Sequence, residues 1–301
     1  MKPKHYLTFA DFDRDTYNYL FDRAATIKAQ WKSNQPYSPL SNKVLTMIFE
    51  KPSTRTRISF EAGMIQLGGS AIYLNSRDTQ LGRGETVEDA ARVISRMTDI
   101  VMIRTFGQDI VERFAKYSKV PVINGLTNEH HPCQIMADIF TYVEKYGSIE
   151  GKTVAWIGDY NNVSHSWIEA AQIFNFKFNM SCPPEYAPPE ALQKGSHHEL
   201  FENPEDAVNN ADIVYTDVWT SMGFEEENQK RLKAFANWQV NKKLMSKAKP
   251  NAMFMHCLPA HRGEEVSEDV IESDQSVVWE EAENRMHTEK ALMEYLLLGR
   301  V

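Results

Sequence analysis

The sequence of 301 residues has little of several features that mark specialised classes of protein. Its three cysteines are too few for a disulfide framework, and their odd number leaves at least one thiol unpaired, so we expect reduced cysteines and a cytoplasmic location. No apolar run approaches the roughly 18–20 residues of a membrane span, and the first residues lack the apolar core of a secretory signal. We therefore expect no membrane partner.

Basic residues are also in the minority. Lys and Arg total 33 against 41 Asp and Glu, which gives a net charge of −8. Because an acidic chain is a poor match for nucleic acid, we expect no nucleic-acid partner, and any anion site must come from a local cluster of arginines. The 42% hydrophobic and 25% charged residues are typical of a globular protein long enough for two modest domains.

Segments typical of strands and of helices alternate along the chain, and no internal repeat is present. After a helix predicted over residues 132–146, the alternation begins again near residues 148–151, where we predict a domain boundary. This alternation predicts an α/β fold with parallel sheets that helices cover on both faces. The last predicted elements are a short strand over residues 277–279 and an amphipathic helix over residues 289–298.

The most informative motif is Ser-Thr-Arg-Thr-Arg at residues 53–57. It follows a predicted buried strand (residues 44–49) and precedes a helix predicted over residues 58–67. The first N–H groups of a helix are unpaired and carry partial positive charge, and arginine forks match phosphate oxygens. The motif therefore predicts a phosphate site, although a capped and solvated turn explains the same residues.

Two further polar groups follow predicted strands. Arg104 ends a strand over residues 100–104, and His131 precedes the helix at 132–146, soon after a strand at 120–123. Parallel sheets bind ligands at the carboxyl ends of their strands, which favours one anion site. Taken singly, a histidine in this position is more often a helix cap or a surface residue, and an arginine is usually a solvated strand end.

In the second half of the chain, the residues that indicate a binding site form less specific patterns. Asn162 lies in a turn that takes the place of a dinucleotide fingerprint, but the Gly-x-Gly-x-x-Gly pattern is absent, so we predict no NAD binding there. Asp217 follows another predicted strand, where it is suited either to a cationic amine or to a satisfied turn.

His256 and Cys257 raise the alternatives of a cysteine nucleophile and, together with His131 and Cys133, a metal site. Adjacent residues on a strand face opposite sides, and no zinc-type spacing is present. We therefore predict neither, and no metal.

Four motifs, in this order, resemble the signature set of the aspartate/ornithine carbamoyltransferase family. They are Ser53–Arg57, His131–Gln134, Asp-Val-Trp-Thr-Ser-Met-Gly at 217–223, and His-Cys-Leu-Pro at 256–259. The resemblance covers essentially the whole chain, and the last two motifs are similar to the ornithine branch. It implies an aspartate/ornithine carbamoyltransferase-like α/β fold of two domains, each a parallel sheet flanked by helices. Residues 1–147 would bind carbamoyl phosphate, with helix 288–301 packing back on them, and residues 148–287 would bind L-ornithine.

The implied reaction transfers the carbamoyl group of carbamoyl phosphate to the δ-amine of L-ornithine, giving L-citrulline and phosphate without a metal or organic cofactor. The residues implied for carbamoyl phosphate are Ser53, Thr54, Arg55, Thr56, Gln80, Arg104, His131, Pro132, Cys133, Gln134, Cys257, Leu258 and Arg285. Those implied for ornithine are Asn162, Asp217, Ser221, Met222 and Cys257. Within these sets, the resemblance assigns catalysis to Thr56, Arg104, His131 and Cys257.

The family also implies a homotrimer in which a neighbouring subunit completes each active site, and Gln80 is the matching position. The compact length favours a role in arginine biosynthesis over arginine breakdown. Two alternatives remain open: a carbamoyltransferase for putrescine or an acylated ornithine, and a regulatory binding protein that has lost turnover.

Overall fold

The computed structural model describes residues 3–75, 84–220 and 227–301. The chain divides into two compact units, one of Met1–Phe140 with Glu283–Val301 and one of Thr141–Ala282. Among the described residues, no helix combines the length and the apolar character needed to cross a lipid bilayer.

Within the described residues, the first unit contains one parallel sheet. Its strands are β1 (Val44–Phe49), β2 (Ser70–Asn75), β3 (Ile100–Arg104) and β4 (Val122–Leu126), in the order β2-β1-β3-β4. Phe49 pairs with both Asn75 and Arg104, so these strands end together at one edge. The helices are α1 (Arg14–Lys32), α2 (Thr54–Gln66), α3 (Val87–Ile94), α4 (Gln108–Tyr117) and the first part of α5 (Pro132–Tyr146).

The described part of the second unit holds a five-stranded parallel sheet in the order β7-β6-β5-β8-β9. These strands are β5 (Thr153–Ile157), β6 (Lys177–Ser181), β7 (His198–Phe201), β8 (Ile213–Tyr215) and β9 (Met253–Met255). Its helices are α6 (Asn162–Phe174), α7 (Pro204–Val208), α8 (Asn228–Ala234), α9 (Lys242–Met245) and α10 (Glu268–Ile271). The long helix α11 (Val278–Leu298) begins in this unit and continues into the first.

Both faces of the second sheet are buried, as expected for parallel strands that alternate with helices. On one face, Ile157 and Phe254 pack with residues of α7, α9 and α10. On the other face, the Trp167 ring of α6 lies 5.8 Å from Tyr215 and 6.2 Å from Phe178, measured between ring centroids. The prediction of two parallel sheets flanked by helices is confirmed.

Several element boundaries differ from the predictions. Helix α2 begins at Thr54 rather than residue 58 because Ser53 caps it, so the residues after Ser53 in the Ser53–Arg57 motif form its first turn. The strand predicted over residues 277–279 is wrong: Val278 begins α11, and its apolar side chain is buried by helix packing rather than by strand pairing. The predicted functional division at residue 148 stays a prediction.

Candidate active site

The start of α2 follows strand β1 and forms one part of the site. Ser53 is the N-cap, and its Oγ accepts a hydrogen bond from the Thr56 backbone N–H at 3.3 Å. All residues of α2 are described, and none in its first turn is acidic, so no side chain there offsets the positive end of the helix dipole. The local sequence thus gives α2 an N-terminus that attracts anions.

The two arginines of this turn have different environments. The Arg57 guanidinium lies 4.1 Å from the centroid of the Tyr73 ring, and its Nε donates to Glu61 at 3.0 Å, so Arg57 is held at the surface. Arg55 is half-buried. The motif therefore separates into one surface arginine and one arginine in a more enclosed position.

Thr56 connects this turn to the last helix. Its side chain is fully buried, and its Oγ1 accepts hydrogen bonds from Ser53 Oγ at 3.1 Å and from Arg285 Nη2 at 3.1 Å. Arg285 itself is buried and lies within α11 rather than ahead of a shorter closing helix. The structure therefore brings together Ser53, Thr56 and Arg285, three residues that the sequence resemblance had grouped.

Arg104 and His131 complete a buried polar cluster in the first unit. Burial lowers the pKa of His131 well below its usual 6.5, and the nearby guanidinium groups of Arg285 and Arg104 lower it further. The imidazole is consequently neutral at neutral pH. A neutral imidazole offers one N–H donor, which suits it to polarise a carbonyl oxygen without adding a third positive charge.

The first turn of α5 is fixed by contacts within the same unit. Pro132 accepts a hydrogen bond at its carbonyl oxygen from Tyr6 Oη at 3.2 Å, and Cys133 Sγ lies 3.5 Å from the Asn124 carbonyl oxygen. Burial raises the pKa of Cys133 well above its usual range, so this thiol is protonated and unreactive.

Gln134 donates from Nε2 to Asp138 Oδ1 at 2.8 Å. This bond fixes the orientation of the amide, because the carboxylate selects its NH₂ group. The amide oxygen is therefore directed away from Asp138, as required of a group that accepts a hydrogen bond from a substrate.

In the second unit, the predicted residues Asp217 and Cys257 lie in contact. Cys257 Sγ donates to Asp217 Oδ1 at 3.1 Å, and Asp217 Oδ2 accepts from Asn161 Nδ2 at 2.9 Å. Asp217 also accepts from the Val218 backbone N–H at 2.8 Å. The carboxylate is thus held by three donors in a fixed position after strand β8.

Asn161, the neighbour of the predicted ornithine residue Asn162, is the asparagine that contacts Asp217. It is the N-cap of α6, where its side-chain oxygen accepts from the backbone N–H groups of Val163 and Ser164. Its amide nitrogen is the group that contacts Asp217, while Asn162 begins the helix. The available signal was an asparagine after a predicted strand, because asparagine is among the residues that most often cap a helix.

A buried network supports the segment at Cys257. His256 Nε2 lies 3.0 Å from Glu265 Oε1, and His256 Nδ1 accepts from the Leu258 backbone N–H at 2.8 Å. Because Nδ1 accepts, the ring proton is on Nε2 and is donated to Glu265. Leu258 has a φ of 56°, in the left-handed region that non-glycine residues rarely adopt, and this hydrogen bond helps to hold it there.

Glu281 extends the same network. Its Oε2 accepts from the His256 backbone N–H at 3.1 Å, and its Oε1 accepts from Tyr215 Oη at 3.2 Å. Sequence reasoning missed both Glu265 and Glu281 because nothing in their local pattern distinguishes a buried glutamate from a solvated one.

Ligand atoms of Asp217, His256 and Cys257 lie within 4.8 Å of one another, a separation short enough for a metal site. Both nitrogens of His256 are, however, engaged by Glu265 and by the Leu258 N–H. The chemistry of this set therefore favours a hydrogen-bonded network over metal ligation. The predicted ligands Gln80, Ser221 and Met222 lie outside the described residues.

Comparisons with known proteins identify the family. Residues 4–144 match the family model described as the carbamoyl-P binding domain of aspartate/ornithine carbamoyltransferase, and residues 150–296 match its Asp/Orn binding domain. The chain belongs to the aspartate/ornithine carbamoyltransferase family. The predicted family, and with it the prediction of a carbamoyltransferase enzyme, is confirmed.

Relatives within the aspartate/ornithine carbamoyltransferase family are similar over nearly the whole chain. The ornithine carbamoyltransferase of Azoarcus sp. (strain BH72) is 63% identical over 302 residues, which cover 99% of this chain and 97% of that protein. The crystal structure of ornithine carbamoyltransferase from Burkholderia thailandensis E264 has 56% identity and a TM-score of 0.92, covering 99% of this chain and 100% of that one. The enzyme from Pyrococcus furiosus has 47% identity and a TM-score of 0.93, covering 100% and 98%.

The lowered pKa of His131 can be tested directly. In an NMR titration of histidine-labelled protein, with the His131→Asn variant used for assignment, we expect the His131 imidazole to stay neutral as the pH falls through 6.5. The unfolded chain takes up this proton near pH 6.5 while the folded protein does not, so this residue lowers stability as the pH falls below that value. A midpoint at or above 6.5 would contradict the description of a buried, cation-flanked imidazole.

Proposed function

We propose that this family member is an ornithine carbamoyltransferase, which transfers the carbamoyl group of carbamoyl phosphate to the δ-amine of L-ornithine and releases L-citrulline and phosphate. The observation that carries the proposal is the buried cluster of Thr56, Arg104, His131 and Arg285, which concentrates donors for an anion in an acidic protein. The names of the relatives in Azoarcus, Burkholderia and Pyrococcus support the choice of ornithine.

Carbamoyl phosphate is assigned to the first unit. The start of α2 supplies backbone N–H groups and the side chains of Ser53, Thr54, Arg55 and Thr56 for the phosphate oxygens. Arg104 and the neutral His131 donate to the carbonyl oxygen, with Thr56 assisting. Arg285 adds a buried positive charge beside Thr56, which is worth more there than it would be in water.

The carbamoyl NH₂ group needs acceptors rather than donors. The Gln134 amide oxygen meets this need, because the Asp138 carboxylate already engages the amide nitrogen. We further assign the backbone at Cys257 and Leu258 to this group. The His256–Glu265 pair fixes that backbone, so the acceptor is preorganised. Pro132 and Cys133 contribute through the position of their backbone at the start of α5.

Ornithine is assigned to the second unit. Asp217 is held by Asn161, Cys257 and its neighbouring N–H, and its negative charge favours an amino acid with a free α-ammonium group. Cys257 lies against Asp217 and would orient the reacting amine without forming a bond to carbon. We retain Asn162, Ser221 and Met222 as further ornithine contacts.

The chemistry then requires no covalent enzyme intermediate. The neutral δ-amine attacks the carbonyl carbon, and negative charge develops first on the carbonyl oxygen. The C–O bond to phosphate then breaks, the amine proton leaves with the phosphate, and the charge moves to the departing group. Donors fixed where charge develops lower the barrier because they need no reorganisation during the reaction.

The proposal extends to the biological setting. We propose a cytoplasmic homotrimer of arginine biosynthesis, in which Gln80 of a neighbouring subunit completes each carbamoyl phosphate site. We propose that it acts without a metal or organic cofactor and has neither a nucleic-acid nor a membrane partner.

In the decisive assay, the purified protein is incubated with carbamoyl phosphate and one of three amine acceptors, which are ornithine, putrescine and N-acetylornithine. We expect citrulline from ornithine and much slower turnover of the other two, because neither presents the free α-ammonium group that Asp217 favours. Preference for putrescine or the acylated amine would assign a different acceptor. Substrate binding without turnover of any acceptor would support a regulatory protein.

Replacing Cys257 by serine tests whether the thiol acts as a nucleophile. If Cys257 only orients the amine, Cys257→Ser should retain measurable turnover with a raised KM for ornithine, since serine can still donate to Asp217. Asp217→Asn, which keeps the shape but removes the charge, should raise the same KM more strongly. Trapping a carbamoyl thioester on Cys257 by mass spectrometry would overturn this assignment.

Mixing two inactive variants tests the shared site. Arg55→Ala and Gln80→Ala should each lose activity, since a charge-assisted hydrogen bond contributes about 1.5–3 kcal/mol, or roughly ten- to 150-fold in rate. After subunit exchange, mixed trimers contain at least one site with both residues intact, so citrulline formation should recover. The absence of recovery in verified mixed trimers would mean that each chain builds its site alone.

The neighbouring arginine provides a matched control for this experiment. Arg57 belongs to the same turn but is stacked on Tyr73 and paired with Glu61. Arg57→Ala should therefore change activity little. A loss equal to that of Arg55→Ala would show that the turn, rather than one guanidinium, is being disturbed.

A further inference from the structure

Glu289 is a buried carboxylate that the proposed reaction does not use. It lies one turn after Arg285 in α11, and its Oε1 is 3.2 Å from Arg285 Nη2. The exposed fractions of the two side chains are 4% for Arg285 and 0% for Glu289. Its second oxygen, Oε2, is also buried and receives no hydrogen bond of normal geometry from the described part of the chain. A carboxylate so poorly solvated is costly to keep ionised.

Glu289 shares its partner with the anion site. The same Arg285 Nη2 donates to Thr56 Oγ1 at 3.1 Å. The positive charge assigned to the phosphate is thus already partly neutralised by a carboxylate of the protein. An anion that reaches Thr56 and Arg285 would meet repulsion from an ionised Glu289 and none from a protonated one.

The surroundings favour a proton on Glu289 within the physiological range. Burial raises the pKa of Glu289 to about 7, against the opposing effects of Arg285 and of the Ser59 hydroxyl on α2. From α5, the buried Cys133 faces it, and the Glu289 charge raises the pKa of that thiol. Along its own helix, Lys290 is directed elsewhere and donates to Gln66 at 2.9 Å.

Two further ionisable side chains, Arg104 and His131, are buried in the first unit. Burial lowers the pKa of His131, and the guanidinium groups of Arg285 and Arg104 are close enough to this imidazole to lower its pKa further. In addition to Arg55 of α2, an arriving anion would therefore find Arg104 and Arg285 as buried cations and Glu289 as the opposing buried charge.

We propose that Glu289 is an internal counter-charge that sets how strongly Arg285 attracts an anion, so that anion binding is coupled to uptake of one solvent proton by Glu289. Identifying the anion as carbamoyl phosphate rests on the proposed function, whereas the coupling itself does not. Glu289 thus acts through Arg285 as a positioning and tuning residue. Anion affinity should weaken as the pH rises above 7, by up to about tenfold per pH unit.

The test measures binding of sulfate, which stays a dianion across this range and so adds no titration of its own. Calorimetry at pH 8 in buffers of different ionisation enthalpy should show proton uptake on binding to the unaltered protein. Glu289→Gln keeps an acceptor oxygen near Arg285 but removes the charge. It should bind sulfate more tightly at pH 8, take up no proton, and show a flatter dependence of affinity on pH.

Glu294→Gln is the matched control, because Glu294 is another buried glutamate on α11 and pairs instead with Arg23. It should leave sulfate affinity and proton uptake unchanged. In turnover assays, Glu289→Gln should lower the KM for carbamoyl phosphate at pH 8 with little change in kcat. A residue that merely supported the fold would not tighten binding when replaced.

Two results would overturn the inference. One is sulfate binding to the unaltered protein without proton uptake at pH 8, a measurement that does not depend on whether any variant folds. The other is a folded Glu289→Gln protein whose sulfate affinity is equal or weaker, with the same pH dependence as before. Failure of the proposed function would appear separately, as absence of citrulline with proton-linked sulfate binding intact.

Discussion

The hydrogen bond from Arg285 to Thr56 joins residues 229 positions apart in the sequence, and the buried polar cluster of the first unit depends on it. Ser53 orients the Thr56 backbone through the helix cap, and Arg285 then meets the Thr56 hydroxyl from α11. Burial lowers the pKa of His131 most, and the positive charges of Arg285 and Arg104 lower it further. This contact between two helices therefore holds one of the two guanidinium groups whose positive charge reinforces the neutral state of His131.

In the second unit, the candidate site residues are held in place by a different kind of contact. Its cluster contains a carboxylate held by amide, thiol and backbone donors, and the adjacent backbone is held by the His256–Glu265 pair. Every bond in this network lies at or just beyond the carboxyl ends of strands whose register is fixed by parallel pairing. Hydrogen bonds within a buried network of this kind make the side chains and the backbone that belong to it rigid.

Local sequence was sufficient for much of the architecture. The alternation of strands and helices predicts both sheets, and Ser53 before an apolar-periodic segment is typical of a helix start. Local sequence failed to predict the structure where contacts with residues distant in the sequence determine the conformation. The apolar residues 277–279 are compatible with a strand or a helix, and only packing within the second unit makes Val278 the start of α11.

The candidate site shows the same difference between what local sequence predicts and what distant contacts determine. Arg55 and Arg57 are equivalent in the sequence motif, and the Tyr73 ring that separates their environments comes from the next strand along the chain. Glu289 and Glu265 carry no local sign of burial, because a glutamate in a helix or loop is usually solvated. The motifs identified which residues gather near the strand ends, but the counter-charges that tune them arise only from three-dimensional packing.

The first unit is built from two separate segments of the chain, and this affects the order in which its parts are synthesised. Its second segment, Glu283–Val301, is translated after Thr141–Ala282, the segment that forms the second unit. Until then, Thr56 cannot accept its hydrogen bond from Arg285, and the buried polar cluster of the first unit is incomplete. Vectorial synthesis therefore completes the residues of the second unit before the second segment of the first unit, although the first unit begins earlier in the chain.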